Sequence, residues 1–172
     1  MRRDELQLFL DYDAWATGRL LTAATGLSAE QFALPAGPGH APIRATLVHV
    51  LDALWSWRVR WQGQAVGAES PPELAEEDSI TVDALRSFLE TERDAMHAAL
   101  GGVQDDDLGR AMQVLSRTGP RTMLPWQMLV HAVNHSTQHR GEVAEALTLL
   151  GHSPGEIDFS IFLRGLAATP PG

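Results

Sequence analysis

The sequence contains no cysteine. Disulfides, thiolate metal sites and a cysteine nucleophile belonging to the chain are therefore excluded, and a reducing compartment suits it. Lysine is missing too: all 13 basic residues are arginine. A Schiff-base lysine and a P-loop lysine are thereby ruled out. There is also no Gly-rich phosphate loop and no Gly-x-Ser-x-Gly elbow, which removes nucleotide-dependent and serine-hydrolase chemistry. No apolar run approaches the roughly 20 residues that a bilayer-crossing helix needs. The opening MRRDELQLFLDYDAW interrupts its apolar stretch with acidic residues and does not read as a signal peptide. A cytoplasmic protein without membrane contact is the expectation. Positive charge is scarce as well, with a formal net charge of −9 and no arginine run long enough to make a basic stripe. Phosphate-backbone binding would work against that repulsion, so no nucleic-acid partner is expected.

What the chain does have is ordinary globular material: 172 residues, 44% hydrophobic and 20% charged. That length suits one domain with its own core, expected over residues 1–168, with residues 169–172 as a mobile tail. Helical patterning dominates. A first helix is predicted from about Glu5 to Ala24, stopping near Gly26, and a second after Pro42, ending near Gly63. A Gly-, Pro- and Ser-rich loop follows and leads to Thr81. That threonine caps a third predicted helix over Val82 to Leu100, closed by Gly101 and Gly102. From Arg110 to Leu124 the helical period fades, and a loose hairpin is predicted there. The fourth helix starts at Pro125 and ends at Gly151, and a short last helix is expected over Asp158 to Leu166. The fold class read from this pattern is all-α, a four-helix bundle with a short extra C-terminal helix.

Seven histidines are present, and His131, His135 and His139 recur at steps of four on one helical face. Neighbouring imidazoles one turn apart can converge on a single ion. All three cannot, because the outer two lie roughly 12 Å apart along the axis. A mononuclear site would take two neighbours from this helix, either pair, and a third ligand from elsewhere. His49 is the natural third, on a small and polar stripe of the second helix with Ala45, Thr46, Asp52, Ala53 and Ser56. Bundle interiors place metal sites on such facing helices. The bland alternative is a set of hydrogen-bonded core histidines or a solvated polar stripe. Ser136 follows His135 where a zinc protease would carry its glutamate base, so that chemistry is absent. His97 has no partner at metal spacing, and His40 and His152 fall in loops where exposure is the simpler reading. His131 is expected to pack in the bundle or support the site from one turn below. The tryptophans Trp15, Trp55, Trp57, Trp61 and Trp126 read as core or interface anchors. Trp55 and Trp57 cannot face the same way, which fits a homodimer with one face in the core and one at a subunit contact.

Three stretches, YDAWATGRLL, LVHVLDALWSWRVRWQG and above all LVHAVNHSTQHRGEVAEALTLLGHSP, resemble the DinB/YfiT-like family of metal-binding helical bundles. The resemblance covers most of the chain and implies a metal held by His49, His135 and His139. Departures from the family pattern are Gln138 before the last ligand, Glu142 where glutamine is common, and Thr17 where asparagine is common. Three imidazoles leave coordination positions open, as catalytic sites do, and an ion so held activates water or a thiol. The resemblance implies a metal-dependent S-transferase acting with a low-molecular-weight thiol such as bacillithiol or mycothiol, or a hydrolase. The small-molecule substrate is not legible. Asp52 and Glu142 are candidates to orient an imidazole or move a proton. Zinc or nickel suits the site first, with iron or manganese next. The alternative is a non-catalytic stress-response or interaction protein whose ion stabilises the bundle.

Overall fold

The computed structural model describes residues 1–64, 71–74, 80–116 and 119–168. The central stretches of the Gly/Pro/Ser-rich loop, and the expected tail at 169–172, lie outside the described residues. Four long helices form the body: α1 (Arg3–Ala24), α3 (Ile43–Trp61), α4 (Val82–Gly101) and α6 (Pro125–Leu149). Shorter pieces are α2 (Ala29–Ala33), α5 (Asp105–Leu108), a 3-10 turn at Pro72–Leu74, and a C-terminal α7 (Phe159–Ala168). The hairpin expected before the last long helix is a two-stranded antiparallel ribbon, β1 (Met112–Ser116) and β2 (Gly119–Met123), in the register Met112↔Met123 and Val114↔Arg121. The fold is thus the all-α bundle that the sequence pattern predicts. Helices α2 and α5, one turn or so each, are too short to show a hydrophobic period; α2 exists through its cap, where Ser28 Oγ accepts from the Gln31 amide at 3.1 Å. Thr81 plays the same part for α4, accepting from the Ala84 amide at 3.2 Å.

The apolar side chains sort into two clusters at opposite ends of the bundle. One collects Leu20, Leu21, Leu47, Leu51, Leu85 and Leu147; the other holds Leu6, Leu10, Leu54, Leu100, Met128 and Leu129. Membership fixes the topology. Helices α1 and α6 run from the second cluster to the first, whereas α3 and α4 run from the first to the second. The order is up-down-down-up, and the long connection from α3 to α4 is the return path that two parallel neighbours need. Each fully buried leucine stabilises the fold by about 1.5–3 kcal/mol. The second cluster is closed by aromatic contacts from α7: Phe159 stacks on Phe9 at 5.2 Å and Phe162 lies 5.5 Å from Trp15.

Between the clusters the helices carry a buried polar layer. Asp13 and Thr17 of α1, with Ser136 and Arg140 of α6, are each no more than 1% exposed. The Arg140 guanidinium donates to Asp13 Oδ1, gives a second hydrogen bond to Thr137 Oγ1 at 2.7 Å, and lies 5.2 Å from the Tyr12 ring centroid. Burial pushes the Asp13 carboxyl above its ordinary value, while the Arg140 charge and hydrogen bond pull it back. A second charged pair ties α3 to α4, with Arg58 Nη2 donating to Glu92 Oε2 at 2.8 Å; burial is again the main upward influence on the carboxyl.

Removing one member of a buried pair strands the other's charge, which costs about 3–5 kcal/mol. Asp13→Ala is therefore expected to lower the melting temperature by about 10 °C. Thermal unfolding followed by far-UV circular dichroism checks this, and a shift under about 2 °C contradicts it.

Candidate metal centre

The layer that buries Asp13 and Arg140 also fixes the adjoining face of α6. Positions 136 and 140 point into the bundle against α1, so positions 135 and 139, one residue earlier in each case, turn toward α3. From α3, His49 meets them. The three ring centroids are 5.0 Å apart (His49–His135), 4.9 Å (His49–His139) and 4.6 Å (His135–His139), and every pair is near perpendicular. One ligand nitrogen from each ring lies within 4.8 Å of the others. The Nε2 atoms of His49 and His135 are 3.1 Å apart. Tetrahedral coordination at about 2.0–2.1 Å per imidazole nitrogen puts ligand atoms about 3.3–3.4 Å apart, so the residues present fit a transition-metal ion.

Protonation supports the same use. Desolvation by burial, then the neighbouring His139, His49 and His131, lower the His135 pKa, which favours the neutral ring that a ligand needs. His139 Nδ1 lies 2.8 Å from Glu142 Oε2. With Nδ1–H donating to that carboxylate, Nε2 carries the lone pair and faces the cluster. Glu142 is thus the expected orienting carboxylate. Asp52 lines the adjoining cavity instead, and among the described residues it makes no hydrogen bond to a cluster imidazole.

That cavity has a volume of 560 Å³ and opens directly on His49 and His135. Its floor is the small, polar stripe of α3, Asp52, Ala53 and Ser56, and its far wall is the hairpin, through Val114, Arg121 and Met123. His131 borders the same space. It is exposed rather than packed in the bundle, with its ring edge-on to Trp57 at 4.7 Å and stacked 6.1 Å from His135. Trp55 packs on the first apolar cluster and Trp57 on the second, as their opposed directions require. His97 lies outside the cluster, as its spacing implies, with Nε2 2.8 Å from Asp11 Oδ1 on the bundle surface. His40 and His152 are half-buried rather than exposed. His152 packs on the turn after α1, where a side chain at Gly26 would meet its Nδ1 at 2.5 Å.

Sequence reasoning overlooked Asp13 and Arg140, although a charge inside the apolar YDAWA stretch, and an arginine directly after a candidate ligand, were visible signs. It also overlooked Arg60 and Arg121 at the cavity, because the hairpin's seat against α3 is a tertiary fact.

The His135 shift has a definite sign. Below the unfolded value of 6.5 the unfolded chain binds a proton that the folded ring resists, so the metal-free protein loses stability as pH falls through that value. Melts of metal-stripped protein from about pH 7.5 to 5.5 are expected to show a falling transition, and His135→Ala to flatten it. An unchanged slope in the variant contradicts this origin.

Comparison with known proteins agrees with the architecture. The profile described as the DinB family matches residues 1–168. A crystal structure of a conserved protein of locus from Enterococcus faecalis is similar in fold, at 14% identity and a TM-score of 0.55, covering 83% of this chain and 95% of that one. No curated protein matches the chain. With the family profile matched over nearly its whole length, the chain belongs to the DinB family.

Proposed function

We propose that this protein binds one divalent transition-metal ion through His49, His135 and His139, and uses it to activate a low-molecular-weight thiol or a water for S-transfer or hydrolysis. The observation that carries the reading is the convergence of three imidazole nitrogens within 4.8 Å at the edge of a 560 Å³ cavity. A structural ion would be closed off by a fourth protein ligand. Here the space beside the ligands is open to a small molecule, which favours a reactive site over a purely stabilising one.

The chemistry that the ion supplies when bound is Lewis acidity, which brings the deprotonation of a thiol or water into the neutral range. Everything else falls to the chain. The ring of His135 stays neutral through its surroundings, Glu142 holds His139 in one tautomer, and Trp57, Val114 and Met123 offer an apolar wall that excludes water from a bound substrate. Asp52, on the cavity floor one turn from His49, is placed to accept a proton from a group entering the cavity. Imidazole donors suit zinc or nickel first, and iron or manganese next. The same reading takes residues 1–168 as one functional domain.

Elemental analysis of the purified protein is expected to give one metal per chain, with His49→Ala and His135→Ala each losing it. Full metal content in both variants would refute the assignment. A thiol-transfer and ester-hydrolysis screen of the loaded protein then tests the catalytic half. Glu142→Gln is expected to weaken metal affinity about 10–100-fold with an unchanged melting temperature of the metal-free protein, measured by competition with a chromogenic chelator. Wild-type affinity in that variant would remove Glu142 from the site.

A further inference from the structure

A second cavity, of 250 Å³, begins where the first stops. On α3 the lining of the histidine cavity ends at Arg60, and the next two residues, Trp61 and Gln62, line the second one, at the foot of the bundle. Ala99 of α4, Val103 just beyond it, Met112 of β1 and Pro125 of α6 complete its apolar lining. The polar groups that border this space are engaged within the chain. Gln62 Oε1 accepts from Arg58 Nη1 at 2.9 Å, and the Asp107 carboxylate lies 3.0 Å from Arg110 Nη1. What is left to a guest is apolar surface, and an uncharged apolar group is what such a space accepts without a desolvation cost.

Three adjacencies bring the two spaces within one layer of side chains of each other. On α3, Trp57 borders the first cavity and Trp61, one helical turn on, the second, so their Cβ atoms are about 5–6 Å apart. In the hairpin, Met123 borders the first and Met112 the second. These two are direct partners in the register, hence on one face of the ribbon with Cβ atoms about 4.5–5.5 Å apart. Along the chain, Met123 and Pro125 are separated by a single residue and again border one cavity each. The methionine pair therefore stands at the boundary, and both members are only partly buried against the second apolar cluster. An unbranched thioether with three rotatable bonds fills a gap or vacates it readily.

We infer that the two cavities are the head and tail of one substrate site, and that its substrate is an elongated molecule with an uncharged apolar chain. The reacting end lies at the histidines, the chain runs along Trp57 and past Met112 and Met123, and the far end rests against Trp61 and Val103. The reacting end rests on the proposed metal-site reading; the course of the chain does not. The helix sets the lengths. Trp57 is eight residues from His49 and Trp61 twelve, or about 12 Å and about 18 Å along the axis. Chains that span no more than the shorter distance end in the first cavity, and longer ones reach the second.

The test uses the metal-loaded protein and straight-chain hydroxamates, from hexanoyl to tetradecanoyl, below the concentrations at which they form micelles. The hydroxamate head is a metal ligand, and N-methylamides of the same acids are the matching probes without one. Calorimetry gives affinity, and a bromine on the last carbon, which quenches indole fluorescence on contact, reports where the chain ends. Affinity is expected to keep rising beyond decanoyl, at least about twofold for each methylene. Quenching that is lost in Trp61→Phe is expected for the dodecanoyl and tetradecanoyl chains only. Ala99→Phe, which fills the second cavity, should abolish the rise and leave hexanoyl affinity within about twofold of wild type. Val103→Phe fills the same space from outside the helix and serves if the first variant does not fold. A plateau at decanoyl in the wild type, a rise that survives both fillings, or quenching by the long chains that Trp61→Phe leaves intact would overturn the inference. Failure of the metal reading looks different: hydroxamates and N-methylamides would bind alike, with or without metal, while the rise and the Trp61 quenching persisted, and that result supports the tail cavity.

Discussion

The buried pair of Arg140 and Asp13 constrains the rotation of α6 about its own axis. A charged group with no access to water must keep its partner, because the isolated charge costs several kcal/mol. Arg140 cannot swing out to solvent without stranding Asp13, so the face of α6 that bears positions 136 and 140 stays against α1. The adjoining face, with His135 and His139, is thereby committed to α3. A polar layer in the middle of a bundle stabilises less than the same volume of leucine would. What it secures here is a single register between two parallel helices, and that register makes three histidines from two helices meet.

The placement of that layer also explains where the site lies. Apolar clusters at both ends of the bundle, around Leu21 and Leu47 at one end and Leu10 and Met128 at the other, hold the helices together without using the middle. The midsection is free to carry Asp13, Thr17, Ser136 and Arg140 at one face of α6 and the histidines at the adjoining one. The hairpin between α5 and α6 is the second device. Seated against α3, it turns an exposed polar stripe into the floor of a cavity and brings Arg121 over it.

Much of this was legible in the sequence, and the boundary of legibility has a physical reason. Four long amphipathic stretches, with Thr81 as a cap and Pro125 at a first turn, determine helices locally, and local rules sufficed. The spacing of His135 and His139 is equally local, a single helical turn. His49 was identifiable because its stripe is small and polar where a packed face would be bulky. Arg140 was not singled out, since its role exists only against Asp13, 127 positions away in the chain. The up-down-down-up order was likewise closed to pattern reading: helices of similar length and polarity pack in several orders, and only the sorting of leucines into two clusters discriminates among them. Short α2 and α5 depend on caps rather than period.

The most direct test of the account is an anomalous difference map, collected at the edge of the bound metal, from crystals of the metal-loaded protein. The account requires one strong peak bonded at about 2.0–2.1 Å to nitrogens of His49, His135 and His139, with the Glu142 carboxylate still on the far nitrogen of His139 and non-protein density on the cavity side of the ion. A peak ligated elsewhere, or no peak between these three rings in crystals shown to contain metal, would contradict it.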